Sequence, residues 1–148
     1  MDSKEAYKMK QEMGDKVQFI DVRDPIEIMF TGFTNVADIN IPFKVANKDA
    51  WHSKKPVFLW SKIGGDSKGL AKDTPIILIC RSGGTKCASS AKQLWGKGYT
   101  NVYVVTDGFE GRKIKEGDQK NRRLVNGWKN SGLPWSYKLN KEKMYFKN

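Results

Sequence analysis

Cysteine and histidine are scarce in this chain: Cys80 and Cys87 are the only thiols, and His52 the only imidazole, in 148 residues. Two cysteines cannot build the disulfide framework of a small secreted scaffold, and their spacing is not that of a Cys-x-x-Cys redox pair. One histidine cannot complete a zinc set, so neither a metal nor another cofactor is expected. Long apolar runs are missing too. Nothing approaches the ~18 to 20 residues of a membrane-spanning helix, and no charged-then-apolar leader with a small-residue cleavage site opens the chain, so a soluble protein is expected. Acidic residues are the last shortage. Sixteen carboxylates face 27 lysines and arginines, giving a formal net charge of +11. From Arg112 to the end, eleven basic residues meet only Glu116, Asp118 and Glu142, so +8 of that charge sits in the last quarter. Such a surface is either solvated, or steers a small anion, or meets an acidic partner; aromatics interleave with it, but no nucleic-acid motif accompanies them and nucleic acid is not expected as a partner.

What the chain does contain centres on Pro75–Gly84. The aliphatic run Ile76–Ile79 reads as a fully buried strand that stops at Cys80, followed by Arg81, Ser82, Gly83 and Gly84. Ala88, Ala91, Leu94 and Trp95 then recur at helical spacing from Thr85 until Gly96 and Gly98 end the run. Cys80 is therefore placed before the amino end of a helix, across a glycine-rich loop. Free backbone N–H groups and the positive end of the helix dipole make such a loop an anion cradle and favour thiolate over thiol, with Arg81 and Lys86 adding positive charge.

The rest of the chain frames that stretch. Asp2 and Glu5 have capping-box spacing before an amphipathic helix carrying Ala6, Met9 and Met13. Val17–Asp21 reads as a strand whose exit, Asp21-Val22-Arg23-Asp24-Pro25-Ile26-Glu27, offers Asp24 as a helix cap, Pro25 for the first turn, and Glu27 within reach of Arg23 for an ion pair. The polar exit is expected to be a brace at the strand's carboxyl end. Ile39 and Ile41 mark a short strand closed by Pro42, and Asn101–Val105 another. A loop-rich stretch from Lys44 to Thr74 holds His52, read as a solvated loop residue, and its part from Lys62 onward is the expected mobile segment. Asn126–Pro134 reads as a short helix stopped by Gly132 and Pro134. Strands alternating with helices imply an α/β protein, a mainly parallel central sheet covered on both faces in three α/β/α layers, with its site beyond the carboxyl ends of the strands. One domain over residues 1–148 is expected, with a charged insertion at 112–125 and a basic tail at 136–148.

Asp21-Val22-Arg23 with Glu27, then Gly32, Ile41-Pro42, Cys80-Arg81-Ser82-Gly83, Gly98-Tyr99 and Gly127-Trp128 with Gly132-Leu133-Pro134, taken in that order, resemble a single-domain rhodanese. The resemblance runs over about residues 3–135. It implies a sulfurtransferase in which the Cys80 thiolate takes the outer sulfur of thiosulfate or another persulfide or polysulfide donor, carries it as a persulfide, and passes it to cyanide, a thiol or a protein acceptor. It further implies that the N–H groups from Arg81 to Lys86, through Ser82, Gly83, Gly84 and Thr85, hold donor and persulfide. Asp21 and Arg23 would scaffold the loop. The turn Asp107-Gly108-Phe109-Glu110-Gly111 and the insertion are similar to rhodaneses often exported in bacteria, which implies a periplasmic setting where a leader has been removed and a cytoplasmic one otherwise.

Family loops usually run Cys-x-x-Gly-x-Arg, and this count puts Thr85 in the arginine's place. Counting back from Gly98 puts Lys86 there instead and makes the loop one residue longer, which is the count preferred here because it preserves a cation. Related phosphatases and arsenate reductases of the same fold use a Cys-x5-Arg loop, so the Cys-x5-Lys spacing leaves oxyanion or phosphoester chemistry as an alternative, though lysine lacks the bidentate fork of arginine. A non-catalytic rhodanese-like binding module is the other. Cys87 is read as a small buried residue sharing a stripe with Ala91, Leu94 and Trp95, with a resolving or relay thiol as its functional reading.

Overall fold

A computed structural model of the chain describes residues 1–46 and 70–145. His52, the glycines of the 62–69 stretch and most of the loop-rich segment lie outside the described residues. Four short strands form one sheet: β1 (Gln18–Asp21), β2 (Ile39–Asn40), β3 (Ile76–Ile79) and β4 (Val102–Val104). Their order is β2-β1-β3-β4 and every pairing is parallel, with Ile20 opposite both Ile39 and Leu78, and Leu78 opposite Val104. A parallel sheet buries both faces, which is why β3 can be four aliphatic residues without alternation. All four are fully buried.

The period of two along β3 divides the core. Ile76 and Leu78 pack with Ile20, Cys87, Ala91 and Leu94 on one face. Ile77 and Ile79 pack with Ala6, Phe19, Ile28, Phe109 and Trp128 on the other. Helix α3 (Thr85–Gly96) covers the first face, and α1 (Ser3–Met13) and α2 (Pro25–Thr31) cover the second, giving the three layers expected. The buried stripe of α3 is Cys87, Ser90, Ala91 and Leu94, at i, i+3, i+4 and i+7. Ala88 and Trp95, expected inside, are exposed instead, Trp95 by 56%. Both fall to the side of the Cys87–Ala91–Leu94 stripe.

The expected Asp2–Glu5 capping box forms, and the Asp24 cap of α2 is a second one. The Asp2 carboxylate accepts from the Glu5 N–H and the Glu5 carboxylate accepts from the Asp2 N–H; Asp24 and Glu27 do the same at α2, whose first residue is Pro25. The helix expected over Asn126–Pro134 shrinks to one 3-10 turn, Trp128–Asn130, after Gly127 at φ 100°. Trp128 is nonetheless fully buried, edge-on to Tyr7 and Phe19. Among the described basic residues after Ser136, Lys138 and Lys141 are exposed while Lys143 is packed against the β2 edge. The Asn40 N–H donates to the Lys143 carbonyl beside β2, Lys143 Nζ donates to the carbonyls of Asn35 and Ala37, and Met144 is buried.

Candidate active site

β1 and β3 both end at one edge of the sheet, which brings Asp21 and Cys80 to the same side. Cys80 is 2% exposed as a residue, yet it lines a hollow of about 230 Å3 with Glu27, Arg81, Ser82, Gly84, Thr85 and Lys86. That volume is below the roughly 300–1,000 Å3 of drug-sized pockets and suits a small anion. A larger hollow of about 630 Å3 beside α1 shares no residue with this one, and two of its three charged groups, Lys10 and Asp38, already satisfy each other at 2.8 Å.

The loop is held from outside by its carbonyls. The Phe109 N–H donates to the Cys80 carbonyl (2.8 Å), and the Glu110 and Gly111 N–H groups donate to the Arg81 carbonyl (2.9 and 3.2 Å). Carbonyls tied outward leave the N–H groups of the loop facing in. Gly83 (φ 74°) is needed for this turn, since a β-carbon there would stand 2.0 Å from the Thr106 carbonyl oxygen. At Gly108 (φ 66°) a β-carbon would stand 2.6 Å from the Arg81 backbone.

Inside, the Cys80 sulfur collects donors. Cys87 offers its side-chain S–H, and the backbone N–H groups of Cys87, Ser82 and Gly83 add to it. Gly84, the N-cap of α3, has no side chain with which to cap the helix. The Cys87 N–H, one of the groups a helix leaves unpaired in its first turn, instead helps hold the Cys80 sulfur as thiolate. The Cys87 S–H bond, outweighing burial and helped by the three N–H groups, brings the Cys80 thiol down to about 6 from its ordinary 9.0. Cys87 moves the other way, well up, because its proton is held by Cys80, because it is buried, and because the Cys80 and Asp21 charges lie near. Its single proton has two acceptors, the Cys80 sulfur and the Leu78 carbonyl oxygen at 3.6 Å. At neutral pH the pair is therefore a Cys80 thiolate and a Cys87 thiol.

This division of roles is measurable. In Cys87→Ala, the midpoint of Cys80 alkylation by iodoacetamide should rise from about 6 by about one unit, the worth of one hydrogen bond to a charged group. Cys87→Ser, which keeps a donor, should stay near the parent. An unmoved midpoint in the alanine variant would show that the backbone alone sets the thiolate.

The two cations of the loop are already paired. Arg81, half-exposed, bonds the Glu110 carboxylate, and Lys86 Nζ bonds Glu27 at 2.7 Å. Burial pushes Glu27 up, but the Lys86 ammonium, the Asp24 N–H and the Arg23 charge together hold its carboxyl below the usual range. Arg23 does not ion-pair with Glu27 as its spacing suggested. It precedes the cap of α2, so the helical i, i+4 relation does not apply, and its guanidinium turns inward to Asp21 (Nη2 to Oδ2, 2.6 Å; Nε to Oδ1, 3.0 Å). Thr31 and the Gly32 carbonyl take its remaining N–H groups, and Phe109 lies 4.0 Å beneath it. Asp21 and Arg23 thus reach the loop through Phe109, whose N–H holds the Cys80 carbonyl. Helix α3 opens at Thr85, with the Ala88 N–H donating to Gly84, so six residues run from Cys80 to the first helical one and Lys86 lies inside the first turn.

Asp107 was not singled out by its sequence context. Its carboxylate accepts from the Ser3 N–H (2.9 Å) and hydroxyl (2.8 Å) and from the Gly127 N–H (3.0 Å), tying α1 and the Trp128 turn to the segment that holds the loop. Among the described residues no group of three His, Cys, Asp or Glu side chains is placed to share a metal ion, and no helix is long and apolar enough to cross a membrane.

A profile of the rhodanese-like domain matches residues 4–115. The chain belongs to the rhodanese-like domain family. Solved structures agree on the fold. The M. tuberculosis protein Rv0390 is 25% identical, with a TM-score of 0.71 over 93% of this chain and 96% of that one. A polysulfide-sulfur transferase from Wolinella succinogenes is 23% identical, with a TM-score of 0.56 over 92% of this chain and 76% of that one. A rhodanese-related protein from Thermoplasma volcanium, 20% identical, has a TM-score of 0.51 over 93% and 97%. Among curated sequences, the uncharacterized Rickettsia prowazekii protein RP600 is 35% identical over 65 residues, 44% of this chain and 44% of that protein's length. For a rhodanese-like domain, the part of the chain beyond residue 115 is of interest in itself, because it supplies Trp128 to the core and Gly127 to the Asp107 carboxylate.

Proposed function

We propose that this protein is a sulfurtransferase working through a persulfide on Cys80. The observation that carries the reading is the Cys80 sulfur at the amino end of α3, ionised near pH 6 by three backbone N–H groups and the Cys87 thiol. Membership of the family and the fold shared with a polysulfide-sulfur transferase support it. The thiolate attacks the outer sulfur of thiosulfate, a new S–S bond forms to the Cys80 sulfur, and the donor's own S–S bond breaks with its electron pair leaving on sulfite. The outer sulfur stays as an anionic persulfide. The Ser82, Gly83 and Cys87 N–H groups are the donors near that charge, and since Arg81 and Lys86 are neutralised by Glu110 and Glu27, the backbone supplies most of its stabilisation. Cyanide or a thiolate then takes the outer sulfur, and the electron pair of the S–S bond returns to Cys80.

The test is intact mass after incubation with thiosulfate. The chain should gain one sulfur atom, mapped to the Cys80 peptide, and lose it to cyanide as thiocyanate. An unchanged mass, with Cys80 still rapidly alkylated, would remove the reading. Hydrolysis of an aryl phosphate or reduction of arsenate without sulfur loading would assign the loop to oxyanion chemistry instead.

A further inference from the structure

Arg81 has a second side. Besides lining the Cys80 hollow, it lines a separate pocket of about 360 Å3 built by the charged segment, with Lys113, Arg123 and Lys129 as further cations and Glu110 as the one carboxylate. The segment is folded to make this wall. The Ile114 and Arg122 backbones pair at 2.9 Å, the Asn121 N–H returns to the Ile114 carbonyl with Asn121 at φ 72°, and the Asn126 side chain accepts from the Arg112 N–H. Four cations around one carboxylate leave a local excess of positive charge. Arg123 is the least satisfied of them. Its Nη1 donates to the Gly111 carbonyl at 2.6 Å, while its Nε is buried with no acceptor. Desolvation, with Arg81 nearby, also pulls its guanidinium down. Buried donors are nearly always paired, and an under-satisfied guanidinium beside like charges is what a ligand carboxylate relieves.

From this geometry we infer that the pocket of Arg81, Lys113, Arg123 and Lys129 is an acceptor subsite, holding the carboxylate of a small anionic organic thiol whose sulfur reaches the Cys80 persulfide. The inference rests on the sulfur-transfer reading and names the acceptor class for the same site. The separation decides between ligands. In thiosulfate and cyanide the charge lies on or next to the reacting atom, so both are served by the Cys80 hollow alone. A carboxylate one arginine side chain away from Cys80 belongs to a molecule with several bonds between its charge and its sulfur. In the step served, the acceptor thiolate attacks the outer sulfur of the persulfide, the S–S bond to Cys80 breaks, and the electron pair returns to Cys80 as thiolate; the acceptor leaves as its own persulfide, and no oxidant or reductant is consumed.

Thiosulfate-loaded protein is given mercaptosuccinate or the neutral 2-mercaptoethanol as acceptor. In Arg123→Gln and, separately, in the exposed-site variant Lys113→Gln, the ratio of kcat/KM for mercaptosuccinate to that for 2-mercaptoethanol should fall by about tenfold, as expected for one charge-assisted contact. An equal change with both thiols, or none, overturns the subsite. A second arm does not depend on sulfur loading. S-Methyl mercaptosuccinate, which cannot accept sulfur, should bind the unmodified chain and quench tryptophan emission, because Lys129 lies 4.3 Å over the Trp135 ring. That binding should be lost in Lys113→Gln. Absence of sulfur loading with this binding intact would count against the transfer reading and keep the carboxylate pocket; loading without this binding would keep transfer and discard the pocket.

Discussion

Arg23→Ala should lower the stability of the fold by about 3–5 kcal/mol, the usual cost of breaking a buried ion pair from one side. Both side chains of the Arg23–Asp21 pair are fully buried, so alanine leaves the Asp21 carboxylate without its partner and out of reach of water. The same change empties the bonds to Thr31 and Gly32 and removes the cation over Phe109. For a chain of this length the loss corresponds to a fall in Tm of roughly 10–15 °C. The double variant Asp21→Asn with Arg23→Met should cost less than Arg23→Ala alone, since no charge then remains buried. Thermal melts of the three proteins decide it, and a fall of only a degree or two in Arg23→Ala would mean that water reaches Asp21. Because Phe109 links this pair to the Cys80 carbonyl, the surviving folded fraction should also show slower alkylation of Cys80.

The parts of this arrangement that could be read from the sequence are those set by neighbours along the chain. Ile76–Ile79 followed by Cys80 and two glycines fixes a buried strand, a turn and a helix start, because each depends on residues a few positions apart. The Asp2–Glu5 capping box and the Asp24 cap were legible for the same reason, though not the return bond of Glu27 to Asp24. Arg23 shows where local reasoning stops. Its spacing to Glu27 is helical, but it stands outside α2, and a free guanidinium chooses among partners that tertiary packing brings near. Asp107 was invisible because its partner Ser3 is 104 residues away in sequence. Lys86 could be seen as a cation near the loop. That Glu27 would neutralise it could not, since 59 residues separate them. The start of α3 at Thr85 was legible too, from the glycines that precede it and the helical spacing that follows.

Cys80→Ser should abolish sulfur loading altogether while leaving the fold in place. A serine hydroxyl occupies the same site and can accept the Ser82, Gly83 and Cys87 N–H groups, but these donors lower a thiol to about 6 from 9.0, and the same help leaves a hydroxyl protonated at every pH the fold survives. No nucleophile remains to open the S–S bond of thiosulfate. Thiocyanate formation should fall to the rate without protein, and the mass should stay unchanged after thiosulfate. At pH 7, about one unit above the folded value, stability should fall by only about 1.4 kcal/mol, because what is lost is the thiolate's attraction to its N–H donors and not a packing contact. The sign of the pH dependence completes the test. Cys80 is depressed in the folded chain, so its stabilising contribution is present above the ordinary thiol range and is lost as pH falls through about 6. The parent should therefore lose stability relative to Cys80→Ser as pH is lowered from 9 to 6, and its loading rate should fall over the last of that range, near the folded value. Loading that persists in the serine variant would move the nucleophile to Cys87, the only other thiol in the chain. Raised well above 9.0 and fully buried, Cys87 would then have to work against both its charge state and its burial.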